Sequence, residues 1–379
     1  MERYYSDARM MPRRKKKKKG PSMMLIMFIL AVAVVLGLVV YLAFYRDRER
    51  TIEMTETPLT PDSTYLNTGR GLLYANGGDI SLYNWNSGKT TYYGRDESGS
   101  VRMSGSDAMS AVFAGGDLQI IRQNGDVTTM QFTGTIDTVA LGTDHIAMLR
   151  RDSAGEESVL ILSAAGQQVD QILPGDQFVV DFGFYTVGKT EMLWVELLST
   201  LAGQPTETIR CYDLSMRAQT GAITVQNQLV EELFITGNSI FVSGTNQIIR
   251  YTHDGNKEAY RATDYGYRVL DFSNASGEAV FLLTPRGGDM HSVKLLRLAE
   301  ADTASATETY LQLPGEGVAG FIMNDRLVVV SENRVFIYTM RGKLSETALL
   351  QYPVEKAVKL SDSTLLLLSN GRWYTAPVR

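Results

Sequence analysis

A short run of alternating residues closed by a glycine returns along most of this chain, and no other feature limits its fold so tightly. It reads GDISLYNWNSGK over 78–89, GDLQIIRQNGD over 116–126, NQIIRYTHDGNK over 246–257 and NRVFIYTMRGK over 333–343. From polar start to glycine the spacing is nine residues at Asp79 to Gly88, eight at Asp117 to Gly125, and nine at Asn246 to Gly255 and at Asn333 to Gly342. Glu157 to Gly166, over SVLILSAAG, adds a fifth copy. Alternation with period two marks a strand covered on one face, and a glycine after Asn124 or Asp254 supplies the positive φ of a tight hairpin.

Three further segments accompany each copy. Just upstream lies a denser apolar run, as at Leu72-Leu73-Tyr74, Val112-Phe113-Ala114 or Ile240-Phe241-Val242, of the kind that suits a strand covered on both faces. A shorter strand precedes each run, as at Val101-Arg102-Met103, and a more polar one follows the glycine, as over 127–132. Four antiparallel strands repeated about every 40 residues are the signature of a propeller blade. The expected fold is therefore all-β: an eight-bladed β-propeller, with seven blades as the alternative. The last copy stops after Arg372-Trp373-Tyr374-Thr375 without an outer strand, and the segment Thr51 to Thr57 is placed to supply it from the other end of the chain.

The propeller is preceded by residues 23–45, MMLIMFILAVAVVLGLVVYLAFY, which carry no charge. As a helix they reach about 34 Å, enough to span a bilayer with some tilt. Residues 1–22 hold nine Lys and Arg, including Arg13, Arg14, Lys15, Lys16, Lys17, Lys18 and Lys19, against Glu2 and Asp7. The positive-inside rule then keeps this basic tail in the cytoplasm and exports the rest. The expected organisation is a disordered cytoplasmic tail over 1–22, a transmembrane helix over 23–45, a short stalk over 46–50, and an extracytoplasmic propeller over 51–379. The membrane-proximal cluster Arg13 to Lys19 is expected to meet anionic lipid headgroups rather than nucleic acid. Cys211 is the single cysteine, so no internal disulfide can brace the exported domain.

Little catalytic chemistry is visible. His145, His253 and His291 lie in different repeats, and none has a second ligand at metal spacing. No GxSxG elbow or DxDxDG calcium loop occurs. WNSGKT over 85–90 lacks the leading glycine of a phosphate loop and sits in a hairpin, so it reads as a turn. No cofactor, metal or catalytic residue is assigned. Trp85, Trp194 and Trp373 fall in or beside strands, where packing is the default role. The longest departures from the repeat, over 199–206, 284–290 and 299–307, are the expected partner-binding loops, and the first strand of each blade, lining the channel, is a second candidate surface.

With its Lys-rich tail, single span and hairpins such as DISLYNWNSGK and NRVFIYTMRGK, the whole chain resembles an uncharacterised family of single-span, membrane-anchored propeller proteins of Gram-positive anaerobes. The hairpins are also similar to PQQ-like, quinoprotein-type repeats of eight-bladed propellers, a group that includes dehydrogenases and non-enzymatic assembly factors. The quinone enzymes carry a vicinal cysteine pair and a calcium site, and this chain has neither, so the resemblance implies architecture without cofactor chemistry. The expected function is a non-catalytic binding or scaffold module for an envelope protein or glycan. The alternative is an exported glycan-acting hydrolase with a carboxylate pair at the channel mouth.

Overall fold

The structure is a computed structural model that describes residues 23–44, 50–96, 101–200, 203, 205–226, 228–255, 258–274, 277–299 and 306–378. The basic cluster Arg13 to Lys19, most of the stalk and most of the loop over 299–307 lie outside the described residues. Two units are present, Met1–Arg50 and Thr51–Arg379. In the first, α1 (Met23–Phe44) is a helix of 22 residues without a charged side chain. Its side chains are described without a break only over residues 30–39, and among the described residues no helix is long and apolar enough to cross a membrane.

Two short strands come first, β1 (Arg50–Ile52), which begins on the last residue of the first unit, and β2 (Thr55–Glu56). Five antiparallel meanders follow, each hydrogen-bonded in sequence order. They are β3 (Thr64–Asn67), β4 (Leu72–Asn76), β5 (Asp79–Asn84) and β6 (Lys89–Arg95); then β7 (Arg102–Gly105), β8 (Met109–Ala114), β9 (Asp117–Arg122) and β10 (Val127–Gln131). The third is β11 (Thr135–Leu141), β12 (His145–Arg151), β13 (Glu157–Ser163) and β14 (Gln168–Ile172). The fourth is β15 (Phe178–Val187), β16 (Thr190–Ser199), β17 (Thr206–Asp213) and β18 (Ala218–Val225), and the fifth is β19 (Val230–Ile235), β20 (Ile240–Gly244), β21 (Gln247–Tyr251) and β22 (Glu258–Thr263).

An eight-stranded sheet comes next, made of β23 (Tyr267–Ser273), β24 (Glu278–Pro285), β25 (Met290–Ala299), β26 (Thr307–Met323), β27 (Arg326–Ser331), β28 (Arg334–Thr339) and β29 (Leu344–Leu350), with β1 at its edge. The 17-residue β26 changes partner along its length: Thr307 to Gln312 pair with β25, and Gly317 to Met323 pair with β27. The switch is completed at Gly317, which pairs with both Met290 of β25 and Ser331 of β27, after an unpaired stretch around Pro314, which has no N–H to continue a ladder. Finally β30 (Lys356–Ser361), β31 (Thr364–Ser369) and β32 (Arg372–Pro377) take β2 as their fourth strand, with Thr55 opposite Thr375 and Glu56 opposite Tyr374.

The core explains the order of strands within each sheet. The dense apolar runs form the second strands, and Leu72, Ala111, Ile146, Leu193, Phe241, Phe281, Val329 and Leu366 are all 0% exposed. Buried side chains gather into eight clusters among the described residues, each between one set of strands and the next. One of them joins Leu366 and Trp373 to Leu72 and Tyr83, so the last sheet packs on the first. The Asn67 amide donates to the Leu360 carbonyl at 2.6 Å across the same junction. The sheets therefore close into a β-propeller. The five glycines of the repeat all have φ between 68° and 89°, the left-handed region that a side chain would strain.

Closure depends on one short segment. The Thr57 N–H donates to the Trp373 carbonyl at 2.8 Å and its hydroxyl donates to the same oxygen at 3.0 Å. Proline at this position removes both bonds, whereas valine keeps the backbone bond and loses only those of the hydroxyl. We expect Thr57→Pro to cost about 3 kcal/mol and Thr57→Val about 1 kcal/mol, read as unequal drops in the unfolding midpoint. Equal drops would show that the strand contributes packing but no closure.

Candidate functional site

Antiparallel order sends the links between sheets, and the hairpins between second and third strands, to one rim of the ring. The remaining hairpins go to the opposite rim. On the first of these, which we call the crossover rim, successive links expose large apolar side chains. Leu173 is 68% exposed, Phe178 57%, Leu229 48% and Tyr265 75%, at the entries to β15, β19 and β23. In Asp264-Tyr265-Gly266-Tyr267 the Tyr267 N–H donates to the Asp264 carbonyl at 2.8 Å, and Gly266 takes φ 80°. Glycine at the third position of such a turn leaves Tyr265 at its outer corner.

Beneath this turn sits a charged group with unusual packing. Asp264 is 1% exposed, and neither carboxylate oxygen has a hydrogen-bond partner among the described residues. Burial pushes its carboxyl up to about 6, with Glu231 adding to the rise, while its own backbone N–H, then Arg286 and Lys294, hold it down. Arg286 is engaged with Glu231 through two bonds of 2.5 Å. Lys294, 3% exposed, lies 3.4 Å from Glu308 and 4.4 Å from the centre of the Tyr267 ring. The same rim holds an open depression of about 620 Å³ where β26 bends, lined by Glu316, Glu332, Arg334, Phe336 and Glu355.

The first strands, expected to line the channel, carry β-bulges before Thr138, Asp181, Glu232, Asp271, Ala319 and Ser361. A bulge re-aims the residue that follows it and adds twist. In three neighbouring first strands that residue is acidic. Sequence reading did not find these acids, because a bulge leaves no signal in an alternating pattern. Asp181 and Glu232 keep exposed side chains, and the desolvation imposed by the strands packed around them raises their carboxyls above the ordinary range.

The residues singled out by sequence fall in varied places. Trp373 is 2% exposed and packs edge-on to Tyr65 at 5.3 Å, a core role, whereas Trp85 and Trp194 are half-buried at the edges of their clusters. Cys211 is fully buried between β17 and its neighbours. His145 Nδ1 lies 2.7 Å from Glu191, and His253 Nε2 lies 2.9 Å from the Thr236 carbonyl oxygen; the two histidines occupy separate sheets. Among the described residues no group of three His, Cys, Asp or Glu is arranged to hold a metal ion. Of the three irregular segments, that over 284–290 contributes Arg286 to the crossover rim, and those over 199–206 and 299–307 are described only in part.

No family model matches the chain, and no curated protein matches it. Solved structures do. BamB from Moraxella catarrhalis aligns over 86% of this chain and 98% of its own, with 11% identity and a TM-score of 0.55. The C-terminal WD40 domain of Sif2 aligns over 87% and 99%, with 11% identity and a TM-score of 0.58. The WD40 domain of SCAP from fission yeast aligns over 86% and 94%, with 7% identity and a TM-score of 0.58. At such identities the likeness is one of fold, and the fold is the β-propeller.

Proposed function

We propose that the chain is a membrane-anchored, extracytoplasmic, eight-bladed β-propeller that acts as a non-catalytic binding or scaffold module for an envelope protein. The observation that carries this reading is the run of exposed Leu173, Phe178, Leu229 and Tyr265 on one rim. Apolar and aromatic side chains held outside a closed core are the composition of a protein-binding patch. Eight blades follow if β26 is counted as the outer strand of one blade and the inner strand of the next, since six four-stranded sheets stand beside the divided one. The anchor is supported by the uncharged sequence of α1 and by the lysine run before it, which we assign to the cytoplasmic leaflet. The similarity of fold to BamB and to WD40 domains agrees with a binding role.

A second reading, a glycan-acting hydrolase, has one observation in its favour: three glutamates, Glu316, Glu332 and Glu355, line the 620 Å³ depression. Hydrolysis needs a carboxyl pair that flanks the scissile bond. Release of reducing sugar from envelope glycans by the full chain, lost in Glu332→Gln or Glu355→Gln, would establish it over the binding reading.

The binding reading is tested with a photo-crosslinking amino acid in place of Tyr265 in cells that make the full chain. Tyr92, 60% exposed on the outer strand β6, is the control position. Discrete adducts from 265 and none from 92 are expected, and Phe178→Ser should weaken them. Adducts equal at both positions, or at neither, would refute the rim as the docking surface.

Asp264 gives that rim a pH dependence of stability. Its folded value, about 6, lies above the ordinary 3.8, so the folded chain holds a proton that the unfolded chain has lost between those values. Stability should therefore fall as pH rises through this window and level off above it. Asp264→Asn should flatten the profile and raise the unfolding midpoint at neutral pH, as measured by thermal unfolding across pH.

A further inference from the structure

Two bulged first strands place a carboxylate at the same position, and the chain treats the two differently. Asp271 follows the bulge of β23 and Asp181 follows that of β15. In each, Oδ1 accepts the N–H of the next residue, Phe272 or Phe182, at 2.8 Å. Asp271 Oδ2 also accepts the Ile322 N–H at 2.7 Å and lies 3.6 Å from Lys359 Nζ, which donates to the Ile322 carbonyl at 2.6 Å. An ammonium from a neighbouring sheet thus neutralises Asp271. Asp181 is open to solvent, and among the described residues no cation acts on it.

Behind Asp181 the negative charge continues into the interior. Glu196 is its direct cross-strand neighbour on β16, only 4% exposed, and its Oε1 has no hydrogen-bond partner among the described residues. Glu207 stands opposite Leu198 on the same face and accepts the Val230 N–H at 2.5 Å. Burial first, and then Glu207 and Asp181, push the Glu196 carboxyl up to about 8. These two are the charged groups that face it; across the junction β19 contributes Val230, Leu233 and Ile235. An acid this deep with an unsatisfied oxygen is costly unless something supplies the missing contact.

The third wall is aromatic. Trp194 lies two residues before Glu196 on the same face, and its indole covers Gly183, where a Cβ would sit 2.9 Å from the ring nitrogen. Glycine there lets the ring lie against β15, two residues from Asp181. A pair of carboxylates two residues along the strands from an indole offers an organic ammonium both counter-charge and apolar surface. We infer that the junction between β15–β18 and β19–β22 binds a primary ammonium, such as a lysine side chain, with Asp181 and Glu196 as counter-ions and the Trp194 indole as the apolar wall. Lys359 beside Asp271 is the same contact made within the chain. Binding favours ionised Glu196, so a proton leaves as the ammonium enters, and affinity rises as pH approaches about 8. This inference concerns a ligand site and goes beyond the rim and the anchor.

The test uses the full chain in detergent micelles, tryptophan fluorescence and calorimetry, with Nα-acetyl-lysine amide as the probe. Nα-acetyl-norleucine amide and calcium chloride alone are the controls. The lysine probe should change the fluorescence and bind about tenfold more tightly at about pH 8 than at about pH 6, with proton release on binding. Asp181→Asn and Glu196→Gln should each weaken it about tenfold. Asp181→Asn changes an exposed residue and carries the test if Glu196→Gln fails to fold. Equal binding of the norleucine compound, or full affinity in Asp181→Asn, would overturn the inference. So would competition by calcium with the same fluorescence change, which would assign a metal site. Tyr265→Ser, on a link two sheets away from Asp181, should leave probe binding unchanged, so failure of the ammonium site and failure of the rim are read separately.

Discussion

Every second strand in this protein is apolar on both faces, and a strand of that kind has to be covered on both. A stack of sheets covers all but its two ends, and those ends are where the free energy is decided. The cluster that joins the last sheet to the first holds Leu59, Leu72, Tyr74, Tyr83, Leu360, Leu366 and Trp373. Exposing these seven side chains at about 2 kcal/mol each would cost on the order of 10 kcal/mol, as much as the whole net stability of a typical domain. The ring must therefore close. Closure also explains why Thr55 and Glu56, more than 300 residues away in sequence, pair with β32. The exposed Arg372–Glu56 ion pair at this seam adds little by comparison.

Closure leaves two kinds of position free of the core: the links on the rims and the first strands at the channel. Their chemistry can vary without unpacking a sheet, and here it varies strongly around the ring. Asp271 meets Lys359 and Ile322, while Asp181 meets solvent and a buried carboxyl. The exposed apolar links are likewise confined to the entries of β15, β19 and β23 among the described residues, apart from Tyr352 before β30. Asymmetry in a ring of similar sheets has no packing reason. It is where recognition can be built.

Much of the architecture was legible because it rests on periodicity. Alternation, the apolar runs and the glycines at 88, 125, 166, 255 and 342 encode hairpins whose register follows from the pattern itself. The partner switch of β26 was not legible, since Pro314-Gly315 reads as a turn between separate strands, and only pairing on both sides makes Thr307–Met323 one element. The bulges were hidden for a related reason: one extra residue in a strand looks like noise in a two-residue period. With them went the acids at 181, 232 and 271, which sequence placed merely among many carboxylates. Glu196 was equally hidden, because a glutamate in an apolar strand shows its burial only when the neighbouring sheet is in place.

The fold is thus a weak guide to what the protein binds, and the reason is physical. A propeller blade requires only a pattern of covered and open faces with turns between them, and very different side chains satisfy it, so chains with little identity reach the same ring. What the pattern does not require is informative by contrast. Nothing in the packing of a blade calls for a buried glutamate with an unsatisfied oxygen, a glycine cleared for an indole, or a tyrosine held at the corner of a turn. Each carries a cost in desolvation or chain entropy that the core does not return. Such features are what the two proposed sites are built from, and in this ring they lie between β15 and the entry to β23.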